Sequence, residues 1–260
     1  MSVMFEMLFF GTCSGTEPMK DMHHCAWAIK KNDGYYWFDA GENCSRTAHL
    51  MGENLRNVKN IFISHPHSDH IGGLMNLICT IRKLFVRDKT MREEPLGLFV
   101  PKIEVWKYLK AYIETGDANI ESRFKIDAKE IDDGLIFEDE NIRVEAFSNL
   151  HMEHAFGNEK ISYSFRISID GKVIVFTGDV KNLDEVDKVV GEGCDFLIME
   201  TGHHNVDDII NYSETHNVDV LLFNHHGRYI IGNREEAEEK AKASSKKTII
   251  LKDKDRIMVK

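Results

Sequence analysis

No apolar run in these 260 residues approaches the roughly 18 needed to cross a bilayer; stretches such as 173–176 and 220–223 are only strand-sized. A membrane-spanning protein is thereby excluded as an expectation. The amino terminus lacks the succession of basic, apolar and small residues that marks a secretory signal, so the expected compartment is the cytoplasm. Cysteine is sparse and unpatterned. Cys13, Cys25, Cys44, Cys79 and Cys194 are odd in number and widely scattered, which fits neither a disulfide framework nor a C-x-x-C zinc or redox motif, and they are expected to be reduced. Positive charge is in the minority: 33 Lys and Arg against 43 Asp and Glu leave a net charge of −10. The mean field therefore repels polyanions, and a nucleic-acid partner would need a local basic patch. There is no low-complexity segment, internal repeat or Pro/Gly/Ser linker, so residues 1–260 are expected to form one domain; 42% hydrophobic content suffices for a sizeable core.

What is present is a mixture of short apolar strands and amphipathic stretches. Strand-like runs at 4–10, 26–30, 35–39 and 60–64 are separated by turn-rich segments. Leu74, Leu77, Ile78, Ile81 and Leu84 then fall at helical spacing, and Pro101 opens a second helical pattern through Glu114 with Ile103, Trp106, Leu109 and Ile113 on one face. Strands follow at 143–147, 163–169 and 172–177, the last two joined by an Asp170-Gly171 hairpin turn. The final third alternates helix-like stretches with apolar strands at 196–199, 220–223 and 248–251. This order suits an α/β (α+β) fold with two mixed, packed sheets and helices on their outer faces, a four-layer αββα sandwich.

The chemistry concentrates at His65, Pro66, His67, Ser68, Asp69 and His70. Three imidazoles and a carboxylate within six residues are ligands of the kind zinc prefers, and manganese or iron less selectively. They lie where a strand ends at Ser64 and a helix begins near Ile71, the strand-end loop on which α/β proteins commonly build sites. A solvated His-rich loop is the plain alternative. By composition alone, H-x-H-x-D-H arises on the order of a few times in a thousand such chains, so metal binding is the stronger reading.

This run resembles the signature of the metallo-β-lactamase superfamily, and the resemblance extends over nearly the whole chain. Phe38-Asp39-Ala40-Gly41-Glu42 is similar to the buried Asp-Gly turn that precedes the signature, and Gly72-Gly73-Leu74 continues the helix after it. The resemblance implies three further ligands in the order His, Asp, His. His151 follows strand 143–147, with His154 as an alternative; Asp179 follows an apolar strand within Phe176-Thr177-Gly178-Asp179; His225 follows strand 220–223, with His226 beside it. By the resemblance His65, His67 and His151 hold one divalent ion and Asp69, His70 and His225 the other, with Asp179 bridging. The implied cofactors are two divalent metal ions, zinc first and manganese or iron as alternatives. A hydroxide shared by the ions is then the expected nucleophile, with Asp69 orienting it and Asp39 fixing imidazole tautomers.

An alkoxide leaving group also needs an acid, and His203 or His204, after the strand at 196–199, qualifies; a capping or surface role is as well supported for either. The segment Phe10-Gly11-Thr12-Cys13-Ser14-Gly15-Thr16, the turn at Asp39 and a histidine about 22 residues before the final ligand are similar to the tRNA 3′-processing endonuclease (tRNase Z) branch. That implies phosphodiester chemistry. Asp179 lies only 28 positions after His151, too close to admit the tRNA-clamping arm of bacterial members, and the acidic balance agrees. The expected partner is therefore a small-molecule or short phosphodiester substrate rather than structured nucleic acid or a membrane, with a homodimer allowed as an assembly. A thioester or lactone hydrolase of the glyoxalase or lactonase type, and a non-catalytic metal-binding module, are the alternatives. No cysteine occupies the slot that an antibiotic-hydrolysing relative would require.

Overall fold

The computed structural model describes residues 4–15, 19–116, 119–156 and 159–260, so Thr16 of the opening motif lies outside the described residues. The chain divides into two units. The first takes Met1–Gly11, Met19–Ile131 and Lys252–Lys260, and the second Thr12–Pro18 and Asp132–Leu251.

The first unit carries a seven-stranded sheet among the described residues. Its strands are β1 (Phe5–Gly11), β2 (Ala26–Lys31), β3 (Gly34–Phe38), β4 (Val58–Phe62), β5 (Leu96–Val100), β6 (Ile126–Glu130) and a returning carboxyl-terminal strand, β14 (Arg256–Val259). The order is β14-β1-β2-β3-β4-β5-β6. Pairing is antiparallel from β14 to β3 and parallel from β3 to β6. Because side chains alternate faces along a strand, two sets of apolar residues segregate. Phe9, Trp27, Phe38, Phe62 and Phe99 stack across five adjacent strands with ring centroids 5.9, 4.6, 5.0 and 4.8 Å apart. On the other face Leu8, Phe10, Ala28, Trp37, Ile61 and Leu98 join a core with helices α1 (Cys44–Leu50), α3 (Leu74–Arg87) and α4 (Ile103–Glu114). The core-facing residues of α3 include Leu74, Leu77, Ile78 and Ile81, as the helical spacing predicts.

The motif segment differs in one respect from the sequence expectation. A separate turn of helix, α2 (Ser68–Ile71), precedes α3 and carries Asp69 and His70. Gly72 and Gly73 part the two helices because Gly73 lies so close to the Asp39–Gly41 turn that a Cβ there would fall 2.1 Å from the Gly41 carbonyl oxygen.

The second unit carries β7 (Gly134–Glu138), β8 (Arg143–Ser148), β9 (Tyr163–Ile169), β10 (Lys172–Phe176), β11 (Cys194–Thr201), β12 (Val218–His226) and β13 (Lys247–Ile250), in the order β13-β12-β11-β10-β9-β8-β7. Pairing is antiparallel from β7 to β10 and parallel from β10 to β13. Its helices are α5 (Glu153–Phe156), α6 (Asp187–Val190), α7 (Val206–Thr215), α8 (Arg228–Gly232) and α9 (Arg234–Ala243). Leu197, Met199, Leu221 and Phe223 of the sheet pack with Val189, Ile209, Ile230 and Ala237 of the helices. The β9–β10 hairpin turns at Asp170 and Gly171, with φ of 50° and 74°, the left-handed pair that an Asp-Gly hairpin favours. Both units thus place parallel strands beside an antiparallel half; the motif and Asp179 follow strands with a parallel neighbour, β4 and β10, His225 lies at the carboxyl end of the parallel strand β12, and His151 follows the antiparallel strand β8.

Among the described residues no helix is long and apolar enough to cross a membrane. All five cysteines are free thiols.

Candidate metal centre

In the first unit β3 and β4 are parallel neighbours, so Asp39 and Ser64, which follow them closely, sit side by side. The Asp39 carboxylate is fully buried. One oxygen accepts the Ser64 backbone N–H at 2.7 Å, and the other accepts the Ser64 hydroxyl at 2.8 Å and Nδ1 of His70 at 2.6 Å. Burying a carboxylate is costly unless it is hydrogen-bonded, and here both oxygens are used. The consequence is a fixed ring: with Nδ1–H donated to Asp39, Nε2 of His70 presents its lone pair on the other side, the orientation that metal-ligating histidines receive from a carboxylate partner. The Asp39–Gly41 turn is locked to the motif by backbone bonds, Ala40 N–H to His70 C=O at 2.6 Å and Gly73 N–H to Ala40 C=O at 2.7 Å. His65 is buried and His67 exposed, and Nε2 of the former lies 3.0 Å from Nδ1 of the latter. An Asp69 oxygen lies 3.6 Å from Nε2 of His70. All four motif side chains expected as ligands are therefore neighbours.

In the second unit the loops after β8, β10 and β11 and the carboxyl ends of β11 and β12 bring His151, Asp179, Glu200, His203 and His225 together. The buried Asp179 directs its two oxygens at different histidines: Oδ1 is 3.4 Å from Nδ1 of His225 and Oδ2 is 3.6 Å from Nε2 of His151. Asp179, His203 and His225 each offer a ligand atom within 4.8 Å of one another. His225 holds a left-handed backbone, φ 49°, unusual for a residue with a side chain and typical of constrained functional positions. Gly202 makes room for it, since a Cβ at that residue would lie 2.9 Å from Nδ1 of the imidazole.

The alternatives left open by the sequence occupy different environments. His154 is exposed on α5. His226 is buried, with Nε2 2.8 Å from the Leu251 carbonyl and Nδ1 3.3 Å from the Thr201 hydroxyl; burial drives its pKa down to about 3, so the ring is neutral and structural. His204 donates through Nε2 to the Val180 carbonyl at 3.0 Å. His203, by contrast, lies with its ring edge-on to His151, centroids 5.0 Å apart, and parallel to His225 at 5.8 Å, its side chain 46% exposed.

Glu200, which the sequence does not single out, organises this cluster of the second unit. One of its oxygens accepts the backbone N–H of His203 at 2.9 Å and the other accepts Nδ1 at 3.0 Å. Burial acts to raise the Glu200 pKa, but its bonds to His203 and His225 outweigh burial and hold the carboxyl below the usual range. The same bond, against the opposing effect of partial burial, raises the His203 pKa above the usual 6.5. A lone acid ending the apolar strand Phe196–Met199, three residues ahead of a histidine, is the signal that could have found it.

The donor set fits a divalent metal. Two nitrogens bound to one tetrahedral zinc ion are roughly 3.4 Å apart, close to the 3.0 Å of the His65–His67 pair. The Asp179 contacts are of the same size. Imidazoles and carboxylates at such spacing, with one ring of the first unit oriented from behind by Asp39, give each unit a set of donors suited to cations.

The chain matches the sequence profile of the family described as Anti-Pycsar protein Apyc1 over residues 5–244. It belongs to that family. The Apyc1-family chain is also similar to the Ribonuclease Z of Thermococcus sibiricus, 27% identical over 244 residues that cover 79% of this chain and 77% of that protein. Its structure is similar to the metallo-β-lactamase fold protein YhfI of Bacillus subtilis, with a TM-score of 0.75, 16% identity and coverage of 97% and 98% of the two chains. The human short-form tRNase Z matches with a TM-score of 0.72 at 19% identity, covering 98% of this chain and 99% of that one. The metallo-β-lactamase fold expected from the signature, an α/β sandwich of two mixed sheets with helices, is therefore the fold of this Apyc1-family protein.

Proposed function

We propose that this metal-dependent hydrolase acts on small or short phosphodiesters with two divalent ions, most simply zinc, held by His65, His67, Asp69, His70, His151, Asp179 and His225. On this reading residues 1–260 work as one catalytic domain. When bound, the ions would supply a water of lowered pKa and neutralise developing charge.

The observation that carries the reading is the Glu200–His203 pair beside Asp179 and His225. A metal-binding module has no need of a half-exposed imidazole held by a buried carboxylate among its ligands. A thioester hydrolase releases a thiolate, which leaves without a proton, whereas an alkoxide leaves as a strong base and requires one. His203 is thus the group that protonates the leaving oxygen, Glu200 keeps it protonated and oriented, and His204 serves the fold by holding Val180. Similarity to a protein named Ribonuclease Z supports phosphodiesters as the substrate class. Between His151 and Asp179 the described residues form only α5 and the β9–β10 hairpin, with its tight turn at Asp170 and Gly171, which supports a short substrate over a clamped tRNA.

The test is a comparison of leaving groups on zinc-loaded protein. His203→Ala is expected to slow cleavage of alkyl phosphodiesters by about 10²–10⁴-fold while slowing p-nitrophenyl phosphodiesters far less, because p-nitrophenolate departs without help. Equal losses on both substrates would remove His203 from the acid role. Faster turnover of thioesters than of any phosphodiester by the wild-type chain would overturn the substrate class.

A further inference from the structure

We infer that Glu185 is a positioning residue of the metal centre, tying the loop that carries His151 to the loop that carries Asp179; the inference rests on the ligand assignment proposed above. Glu185 is 7% exposed and lies in a 3₁₀ turn, Leu183–Val186, that follows the Asp179 loop. One carboxylate oxygen stays within its own segment, accepting the backbone N–H of Lys181 at 2.9 Å and of Asn182 at 3.3 Å. The other reaches 35 residues back along the chain to accept the backbone N–H of Leu150 at 2.8 Å. Leu150 immediately precedes His151, and Lys181 stands two residues after Asp179.

Capping alone does not explain this arrangement. A carboxylate that merely ends a 3₁₀ turn satisfies the first N–H groups of that turn and leaves its second oxygen to water, which avoids the cost of burial. Here the second oxygen is spent on a different loop. The two loops are also linked by Lys181 to Glu153 and by Lys188 Nζ to the Ser148 carbonyl, but these contacts are exposed and such pairs contribute little. The buried, charge-assisted bonds of Glu185 are the stronger restraint. Their effect at the site is to fix the separation between Nε2 of His151 and Oδ2 of Asp179, 3.6 Å in the structure. Groups that orient metal ligands in this way are typically worth about 10–100-fold in metal affinity.

Glu185→Gln separates positioning from capping. Glutamine serves a capping box as well as glutamate does, so its amide oxygen can still receive Lys181 and Asn182, but its NH₂ would meet the Leu150 N–H donor to donor. Metal-free wild-type and variant chains are titrated with Zn²⁺ alone against a chromophoric chelator. The wild type is expected to take two equivalents. The Gln variant is expected to bind one of them about 10–100-fold more weakly and the other as before. Asn182→Ala, which loosens the same turn without touching the Leu150 bond, is expected to keep both affinities within about twofold. If Glu185→Gln does not fold, Glu185→Asp, one methylene too short to serve both loops, is titrated instead, with the same expected loss. Wild-type affinity for both ions in the Glu185 variant, or equal weakening in Asn182→Ala, would overturn the positioning role while leaving the ligand assignment intact. Failure of the wild type to bind zinc would remove the assignment and the inference together.

Discussion

A histidine that donates a proton to a departing alkoxide must still hold that proton at the working pH. The ionised Glu200 raises the affinity of His203 for it, so protonated His203 persists above the usual 6.5. Activity on poor leaving groups should fall as pH rises through this raised pKa. Removing the charge with Glu200→Gln lowers the His203 pKa, and the basic limb of the kcat profile is expected to move to lower pH; an unmoved limb would mean that another group sets it. His226 makes the opposite case. Its folded-state pKa is about 3, whereas the unfolded chain takes up a proton near 6.5, so between those values the unfolded state binds more protons and stability is lost as pH falls. His226→Gln is expected to flatten the decline in Tm between about pH 6 and pH 4. An unchanged slope would place the acid sensitivity elsewhere.

Elements hold these residues through close backbone approach. The loop after β3 and the turn of helix α2 are pressed together at Gly41 and Gly73, and this contact sets the Asp39–His70 bond. Gly73→Ala drives a Cβ against a backbone oxygen that has nowhere to go. A loss of about 1–3 kcal/mol is expected, several degrees in Tm for a chain of this size. Gly232→Ala, with no atom within 4 Å of the added Cβ, should be close to neutral. Equal Tm values for the two variants would contradict the account of the turn. The motif elements were legible in the sequence because their histidines and aspartate are near neighbours in the chain and the preceding strand ends in an apolar run. β6 and β7 were not, since Ile126–Glu130 and Gly134–Glu138 are edge strands, half exposed and without clean alternation. The four-residue β14 was missed because it has only β1 as a partner and too little length for a pattern. Nor does sequence distinguish His203 from His204. Adjacent residues share every local signal, and only the direction of each side chain, towards Asp179 or towards the Val180 carbonyl, separates them.

At the scale of the whole molecule, the division into two units left no compositional trace. The first unit is discontinuous: its sheet is closed by β14 from the far end of the chain, and the chain passes between units several times through ordinary strand-end segments rather than linkers. The residues proposed as ligands were still findable in the sequence because each lies at or just after the end of a strand. The net charge of −10 and the short connection between His151 and Asp179 both act at this scale, and both support the small substrate proposed above over a long polyanion. The most direct measurement is the rate of hydrolysis of a p-nitrophenyl phosphodiester as Zn²⁺ is added to the metal-free chain, with bound zinc counted at each point. The rate should rise to a plateau at two ions per chain, and Asp179→Ala should lower both the occupancy and the plateau. A plateau at one ion, or no hydrolysis with two ions bound, would contradict a two-metal phosphodiesterase.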